Sequence, residues 1–165
     1  MALIVASGRG DVASVRRLLK QREDIDQLGE EDMTPLSAAC TYGHLNITKI
    51  LLRAGADINK GLPLHQACLF RHLAIVKFLL QSGADVNFAS DVSSNGASAL
   101  YAACQDNIAQ CVRVLLDQST VDVNQGTLKG NCTPLQLSCQ KGHIECIELL
   151  LAHPSIAVNR PKDDG

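Results

Sequence analysis

Residues 34–59 read TPLSAACTYGHLNITKILLRAGADIN, and the order of residue types in this segment predicts its secondary structure. A Thr-Pro pair opens it, where a helix needs an N-cap and a first residue that has no N–H to satisfy. A short run rich in Ala and Cys follows, and Gly43 supplies the left-handed residue that ends a helix. Apolar residues at helical spacing, such as Ile47 and Leu51, predict a second helix that ends at Gly55. The stretch therefore predicts two short helices joined by a tight turn.

The same pattern recurs along the chain. The opening tripeptides are Thr34-Pro35-Leu36, Leu62-Pro63-Leu64, Ser98-Ala99-Leu100 and Thr133-Pro134-Leu135. They follow one another at steps of 28, 36 and 35 residues, and each is followed by a Cys, a turn, a Leu pair and a polar tail. The N-terminal residues fit the same frame without the opening turn. The predicted repeats cover about residues 2–28, 29–60, 61–92, 93–126 and 127–160, and residues 161–165 are expected to begin a further repeat's hairpin.

The consensus TPLxxAxxxGHLxxxxxLLxxGADVN resembles the ankyrin repeat over about residues 2–160. The resemblance implies an all-α fold, an ankyrin-repeat solenoid of stacked helix–loop–helix units with short β-hairpin loops, forming a single domain over residues 1–165. One unit alone cannot bury both of its apolar faces, so stacking is what makes a continuous core. Arg17 replaces an apolar residue of the other repeats and is expected to mark an N-terminal cap. The fifth repeat shows no comparable change, and we expect the chain to be part of a longer array.

Composition argues against several classes of protein. The chain is 46% hydrophobic but only 3% aromatic and has no Trp, which favours packed helices over a β-sandwich. A net charge of −2 provides no general basic field for nucleic acid. The apolar runs are too short to insert into a membrane, and the N-terminus does not resemble a signal peptide. Seven Cys without a secretory signal indicate a reducing compartment, so we expect an intracellular protein of the cytoplasm or nucleus.

We expect no catalytic residue, cofactor or metal. His65, Cys68 and His72 form an H-x2-C-x3-H string that superficially resembles zinc-ligand spacing, but each residue occupies a repeat column and no fourth ligand is near. The resemblance implies that these histidines hydrogen-bond neighbouring backbone. A stand-alone enzyme is disfavoured because no paired carboxylates, nucleophile–base pair or phosphate loop breaks the repeat.

The cysteines and the charged clusters also have simple interpretations. Cys residues that share a column with one another or with Ile are expected to be small core residues, namely Cys40, Cys68, Cys104, Cys139, Cys111 and Cys146. Only Cys132 is expected to be exposed. Two charged clusters are expected to be solvated surfaces, one of Arg16, Arg17, Lys20 and Arg22 and one of Glu30, Glu31 and Asp32.

The resemblance also implies a function, that of a protein–protein interaction scaffold or adaptor that holds a partner protein or peptide in a concave groove. The alternative is an ankyrin-repeat segment of a larger enzyme, channel or ubiquitin-ligase substrate receptor whose activity lies outside this chain. We expect a monomer that binds no nucleic acid. The predicted partner-binding residues are those just before each turn and those on the hairpins: Met33, Thr41, Tyr42, Leu69, Phe70, Tyr101, Gln105, Asp106, Gln140 and Lys141. Gly8, Arg9, Ala97 and Cys132 occupy equivalent positions.

Two irregularities lead to further hypotheses. The hairpin before Pro63 is almost absent and the loop Phe88–Gly96 is long, which predicts a notch near Leu69 and Phe70 that takes a partner side chain. The alternative is that Phe70 packs back on its own turn.

Three asparagines, Asn59, Asn87 and Asn124, each end an L-x5-D-[IV]-N string that resembles sites of asparaginyl hydroxylases. Their simpler role is a hydrogen bond that rigidifies the hairpin base.

Overall fold

The computed structural model describes residues 1–89 and 94–160, and these residues form ten α-helices and no β-strand. The helices come in pairs, each joined by a tight turn, which confirms the predicted all-α arrangement of helix–loop–helix units. In chain order the helices are α1 (Ala2–Gly8), α2 (Val12–Lys20), α3 (Pro35–Thr41), α4 (Leu45–Arg53), α5 (Pro63–Leu69), α6 (Leu73–Gln81), α7 (Ala99–Gln105), α8 (Ala109–Leu116), α9 (Pro134–Lys141) and α10 (Ile144–Leu151). No helix in the described ranges is long and apolar enough to cross a membrane.

The chain divides into two compact units, Met1–Ala84 and Asp85–Gly165. In the first unit α3 packs between α1 and α5, and α4 contacts both α2 and α6. In the second unit α7 packs on α9 and α8 packs on α10. Within each unit the odd-numbered helices, here called the first helices, form one layer, and the even-numbered second helices form the other. The single domain over residues 1–165 stays a prediction.

The core of each unit lies between the two layers. Its largest fully buried side chains are Leu3, Leu36, Ile47, Leu51, Ile75, Leu79, Leu100, Leu115, Leu150, Val15, Val76 and Val112. They recur at helical spacing because one stripe of every helix faces the other layer. Small residues, such as Ala39 and Ala103, fill the contacts between neighbouring first helices and are fully buried.

The predicted helix starts are confirmed. The Thr34 hydroxyl accepts a hydrogen bond from the Ser37 N–H at 3.1 Å, and the Thr133 hydroxyl accepts one from the Gln136 N–H at 3.2 Å. Both Thr residues are followed by Pro, which has no N–H to leave unpaired in the first turn. Leu62, which replaces the Thr in the third repeat, has a left-handed conformation with φ 58° and no side-chain cap.

The turns between paired helices require a left-handed residue. Gly43 and Gly142 have φ 79° and φ 69°, as their sequence positions predict. Arg71 and Asn107 occupy the same place with φ 62° and φ 53°. A left-handed residue other than Gly costs roughly 1–2 kcal/mol, so the geometry of the turn overrides the preference of Arg71.

The loops between repeats are hairpin-like turns and not β-hairpins with strands. In one of them the Gly29 N–H donates to the Met33 carbonyl at 2.8 Å, and in another the Thr127 N–H donates to the Cys132 carbonyl at 3.1 Å. Single hydrogen bonds of this kind are too few to make a ladder. The predicted long loop includes residues 90–93, and the predicted further hairpin is residues 161–165. Both segments lie outside the described residues, so the notch and the further repeat stay predictions.

Candidate functional site

A cavity of about 420 Å³ opens beside the first helices of the first unit. We call it the Tyr42 cavity, and its walls are Ile4, Val5, Gly8, Arg9, Met33, Ala38 and Tyr42. Helix α1 and its C-cap provide one side, α3 and its C-cap provide the other, and the loop before α3 contributes Met33. Two of the predicted partner-binding residues, Met33 and Tyr42, are therefore brought together, with Gly8 and Arg9 opposite them.

The Tyr42 ring defines the character of this cavity. Its side chain is 60% exposed, and it lies against Gly8, where an added Cβ would be 3.2 Å from the ring. A larger residue in place of Gly8 would push the ring away from α1. Val5 is 48% exposed across the cavity, so an aromatic face and an aliphatic face both remain available to solvent. The guanidinium of Arg9 is the one charged group in the walls.

Sequence reasoning missed Ile4, Val5 and Ala38 as parts of this site. Helix α1 reads ALIVASG, with consecutive apolar residues that a single buried face cannot all accommodate. Leu3 and Ile4 are buried and Val5 is left outside. That excess of apolar residues was the signal in the sequence.

The exposure expected of Thr41 is wrong. Thr41 is only 9% exposed, and its hydroxyl donates to the Ser37 carbonyl at 3.0 Å. Its own carbonyl accepts a hydrogen bond from the His72 ring at 3.0 Å. Thr41 therefore serves the packing of α3 against the next repeat. Ala97, expected to face the same side, is also buried at 7% exposure.

Phe70 is the counterpart of Tyr42 at the end of α5. It is 48% exposed, while its neighbour Leu69 is half-buried. About half of the Phe70 side chain is therefore left for a contact outside the chain.

The remaining predicted residues lie in the second unit. Gln105, Gln140 and Lys141 are exposed, and Asp106 is half-buried. The Lys141 ammonium donates to the Gln105 carbonyl at 3.1 Å, which ties the end of α9 to the end of α7. Tyr101 is half-buried, and burial raises its pKa to about 12, with the adjacent Cys132 adding to the rise.

The turn histidines form hydrogen bonds between neighbouring repeats. The His44 ring is 3.0 Å from the Gly8 carbonyl, and the His143 ring is 2.9 Å from the Cys104 carbonyl. The contact between the His72 ring and the Thr41 carbonyl is of the same kind. Each of these three contacts joins one repeat to the repeat before it. The backbone role expected of His72 is confirmed. Among residues 1–89 and 94–160 no group of three or more His, Cys, Asp or Glu side chains is placed to hold a metal ion.

The cysteines follow the predicted columns with one correction. Cys40, Cys68, Cys104, Cys111 and Cys146 are buried, as expected of small core residues. Burial raises the pKa of the Cys40 thiol to about 12, and the hydrogen bond with Cys146, together with burial, raises that of Cys104. Cys139 is exposed and Cys132 is half-buried, so the expectation that only Cys132 would be exposed is wrong. Cys139 belongs to α9, and among the described residues no later helix covers its column.

The asparagines at the repeat ends hydrogen-bond the next loop. The Asn87 side chain donates to the Thr120 carbonyl at 2.7 Å and accepts from the Asp122 N–H at 2.7 Å. The Asn124 side chain donates to the Ser155 carbonyl at 2.8 Å and accepts from the Ala157 N–H at 2.8 Å. The predicted rigidifying role is therefore confirmed for both. Hydroxylation of Asn59, Asn87 or Asn124 stays a prediction.

Comparison with known proteins gives the same picture as the geometry. The family model described as "Ankyrin repeats (3 copies)" matches residues 2–90 and, in a second placement, residues 64–162. No curated protein matches the chain significantly. The paired helices, the Thr caps, the turn histidines and this match together show that the chain is an ankyrin-repeat solenoid and belongs to the ankyrin-repeat family.

Proposed function

We propose that the chain is a scaffold or adaptor that holds a partner protein or peptide, and that the Tyr42 cavity is its main contact. Ankyrin repeats are generally protein–protein interaction modules. The observation that carries the proposal is the 60% exposed Tyr42 ring, which stands beside the exposed Val5 in a concave site. Aromatic side chains that line pockets supply much of the binding free energy of interfaces.

The shape and chemistry of the cavity suit an apolar anchor with a polar end. A volume of about 420 Å³ is large enough for one or two bulky side chains. Arg9 at the rim offers a guanidinium to a carbonyl or carboxylate of the same segment. We therefore propose that a partner inserts a large apolar side chain between Val5 and Tyr42.

We also infer that this site binds without catalysing a reaction. Its walls are aliphatic and aromatic, with one guanidinium, and they include no Ser, Cys, His, Lys or carboxylate side chain that could activate the Tyr42 hydroxyl as a nucleophile. We further propose a reducing intracellular compartment, because all seven cysteines are free thiols and several of them are core residues.

The proposal is tested by capturing partners from a cell lysate on the immobilised chain and measuring their affinity. Tyr42→Ala should weaken binding by about 2 kcal/mol, or roughly thirtyfold, because it removes the anchor surface. The melting temperature should stay nearly the same, since the ring is mostly exposed.

Ile144→Ala is the matched control for this experiment. Ile144 is 63% exposed on α10 and does not line the Tyr42 cavity, so its loss should leave binding unchanged. Equal affinities of the parent and Tyr42→Ala for every captured protein would contradict the proposal.

A further inference from the structure

The second helices of the first unit have a one-sided charge. Helices α2, α4 and α6 contain three, two and one cationic residues and no acidic residue. The six cations are Arg16, Arg17, Lys20, Lys49, Arg53 and Lys77. The whole chain has a small excess of acidic residues, 17 against 15, so this face differs in sign from the protein as a whole.

The second unit does not share this excess. Its second helices mix the two signs, with Arg113 on α8 and Glu145 and Glu148 on α10. Arg113 and Glu145 approach each other to 3.9 Å across these helices. The positive face is therefore a property of the first unit and not of the repeat itself.

A groove of about 420 Å³ lies between α4 and α6 on this positive face. We call it the Phe78 groove, and the residues that matter here are Lys49, Leu52, Arg53, Ile58, Phe78 and Ser82. Leu52, Ile58 and Phe78 are half-buried, so the groove has apolar walls beside the charged groups of Lys49 and Arg53. It is built from the second helices and the loop after α4, whereas the Tyr42 cavity is built from the first helices.

The two cations of the groove are placed to receive an anion. The Lys49 ammonium lies 5.5 Å from the centre of the Phe78 ring, which holds it at the wall of the groove. Arg53 is exposed on the last turn of α4. Within the described parts of the chain neither residue forms an ion pair.

The nearest acidic residue in sequence does not neutralise them. The Asp57 carboxylate accepts hydrogen bonds from the Asn59 N–H at 2.9 Å and the Lys60 N–H at 3.3 Å. It therefore caps its own loop, and among the described residues it forms no ion pair with Lys49 or Arg53.

We propose that the Phe78 groove binds an acidic segment of a partner protein. A leucine or phenylalanine of that segment enters between Leu52 and Phe78, and carboxylates on either side face Lys49 and Arg53. This site is separate from the Tyr42 cavity and does not depend on it. The pairing of an apolar pocket with uncompensated cations is the complement of an acidic segment with one apolar anchor.

Two other anionic surfaces fit the groove less well. A nucleic acid would need an open aromatic face for stacking, but Lys49 already covers the Phe78 ring. A membrane surface would need large apolar side chains that are exposed, but Leu52, Ile58 and Phe78 are half-buried. The acidic protein segment is therefore the occupant that the geometry favours.

The test uses the full chain and a fluorescent peptide in which one leucine is flanked on both sides by glutamates. Binding is measured by fluorescence anisotropy, and raising the salt from about 50 mM to about 500 mM should weaken it strongly. Arg53→Glu should weaken binding about tenfold or more, because it places a like charge opposite the carboxylates. Ser82→Trp should also weaken binding, because it fills the groove without changing the charge.

Three controls separate the groove from general electrostatics. Lys129→Glu makes the same charge change at an exposed residue of the second unit and should change the affinity by no more than about twofold. A peptide with alanine in place of leucine should bind more weakly than the parent peptide. Arg53→Glu should leave the affinity for partners that depend on Tyr42 unchanged, so a failure of this proposal is distinct from a failure of the Tyr42 cavity.

Several results would overturn the proposal. They are the absence of measurable peptide binding, equal effects of Arg53→Glu and Lys129→Glu, or loss of Tyr42-dependent partner binding in Arg53→Glu. Tighter binding of single-stranded DNA or of anionic lipid vesicles, with the same dependence on Arg53, would assign the groove to those ligands instead.

Discussion

One point at which two repeats of the first unit come close together is a residue without a side chain. Gly43 has φ 79°, and a Cβ added to it would lie 2.6 Å from Cε1 of His72. The same relation holds one repeat earlier, where a Cβ on Gly10 would lie 2.8 Å from Cε1 of His44. The turn glycine thus serves two purposes, since it adopts the left-handed conformation and leaves room for the imidazole of the next repeat.

Gly43→Ala is expected to destabilise the protein more than an ordinary left-handed Gly→Ala change does. Alanine at this φ costs roughly 1–2 kcal/mol by itself. The displaced His72 ring also loses its hydrogen bond to the Thr41 carbonyl, which adds about 1 kcal/mol. Urea unfolding followed by circular dichroism measures the sum.

Gly55→Ala provides the matched control in the same unit. Gly55 has φ 95°, and no atom lies within 4 Å of an added Cβ, so only the backbone cost should appear. Equal losses of stability in the two variants would mean that His72 moves aside without cost.

The sequence predicted the backbone conformation of the turn residues better than the burial of the residues around them. The need for a left-handed residue at positions 43 and 142 follows from the Gly itself. The burial of Thr41 does not, because it depends on His72, which is 31 residues away in the chain. The exposure of Cys139 likewise depends on the packing of its neighbours, and its column alone predicted the opposite.

At the scale of single elements, the first helices do not all begin in the same way. Helices α3 and α9 start with a Thr whose side chain caps the first turn, whereas α5 starts with the left-handed Leu62. Leu62 is 5% exposed, so its side chain joins the core while its backbone turns the chain. The almost absent loop before α5 leaves no room for an extended cap residue.

The two Thr caps are expected to differ in strength. The Thr34 hydroxyl, besides capping α3, donates to the Lys60 carbonyl of the next repeat at 3.2 Å. Thr34→Val should therefore cost about 1 kcal/mol for the lost cap and about 1 kcal/mol more for the stranded carbonyl. Thr133→Val, which loses a cap alone, should cost about 1 kcal/mol in the same urea titration. A smaller loss for Thr34→Val than for Thr133→Val would show that the Lys60 contact contributes nothing.

At the scale of the whole molecule, the repeats within each of the two units are joined by polar bridges as well as by the core of that unit. Asn87 and Asn124 each use both polar atoms of the side chain to hold the backbone of the following loop. In the first unit Asp26 occupies a similar place and accepts from the Asp57 N–H at 3.0 Å. A carboxylate has no N–H to donate, so Asp26 cannot make the second hydrogen bond, to a backbone carbonyl, that Asn87 and Asn124 make.

Removal of one such bridge should loosen a single loop. Asn124→Ala should increase the hydrogen-exchange rate of the Ala157 amide by about tenfold, because its acceptor is lost. The Asp122 amide, which is bonded to Asn87, should keep its rate and serves as an internal reference. Asn46→Ala, an exposed change on α4, should leave both rates unchanged. An unaltered Ala157 amide in Asn124→Ala would contradict the bridging role.

Much of the fold could be predicted from the sequence, because the same sequence pattern recurs in every repeat. The helix pairs and the Thr caps all follow from local residue preferences, which agree with one another. The site was predicted less well. Met33 and Tyr42 were identified by their column, but the cavity between them exists only because Gly8 is small and Val5 is left outside the core. Such features depend on the packing of two repeats and are not local.

The contact between each turn glycine and the following imidazole also bears on how this array can be edited. Excising the second repeat would bring Gly10 next to His72, and the two still suit each other. A graft that placed a residue without a ring nitrogen after Gly43 would lose the hydrogen bond that His72 makes to the Thr41 carbonyl. A repeat can therefore be exchanged when its turn glycine leaves room for the imidazole of the repeat that follows it.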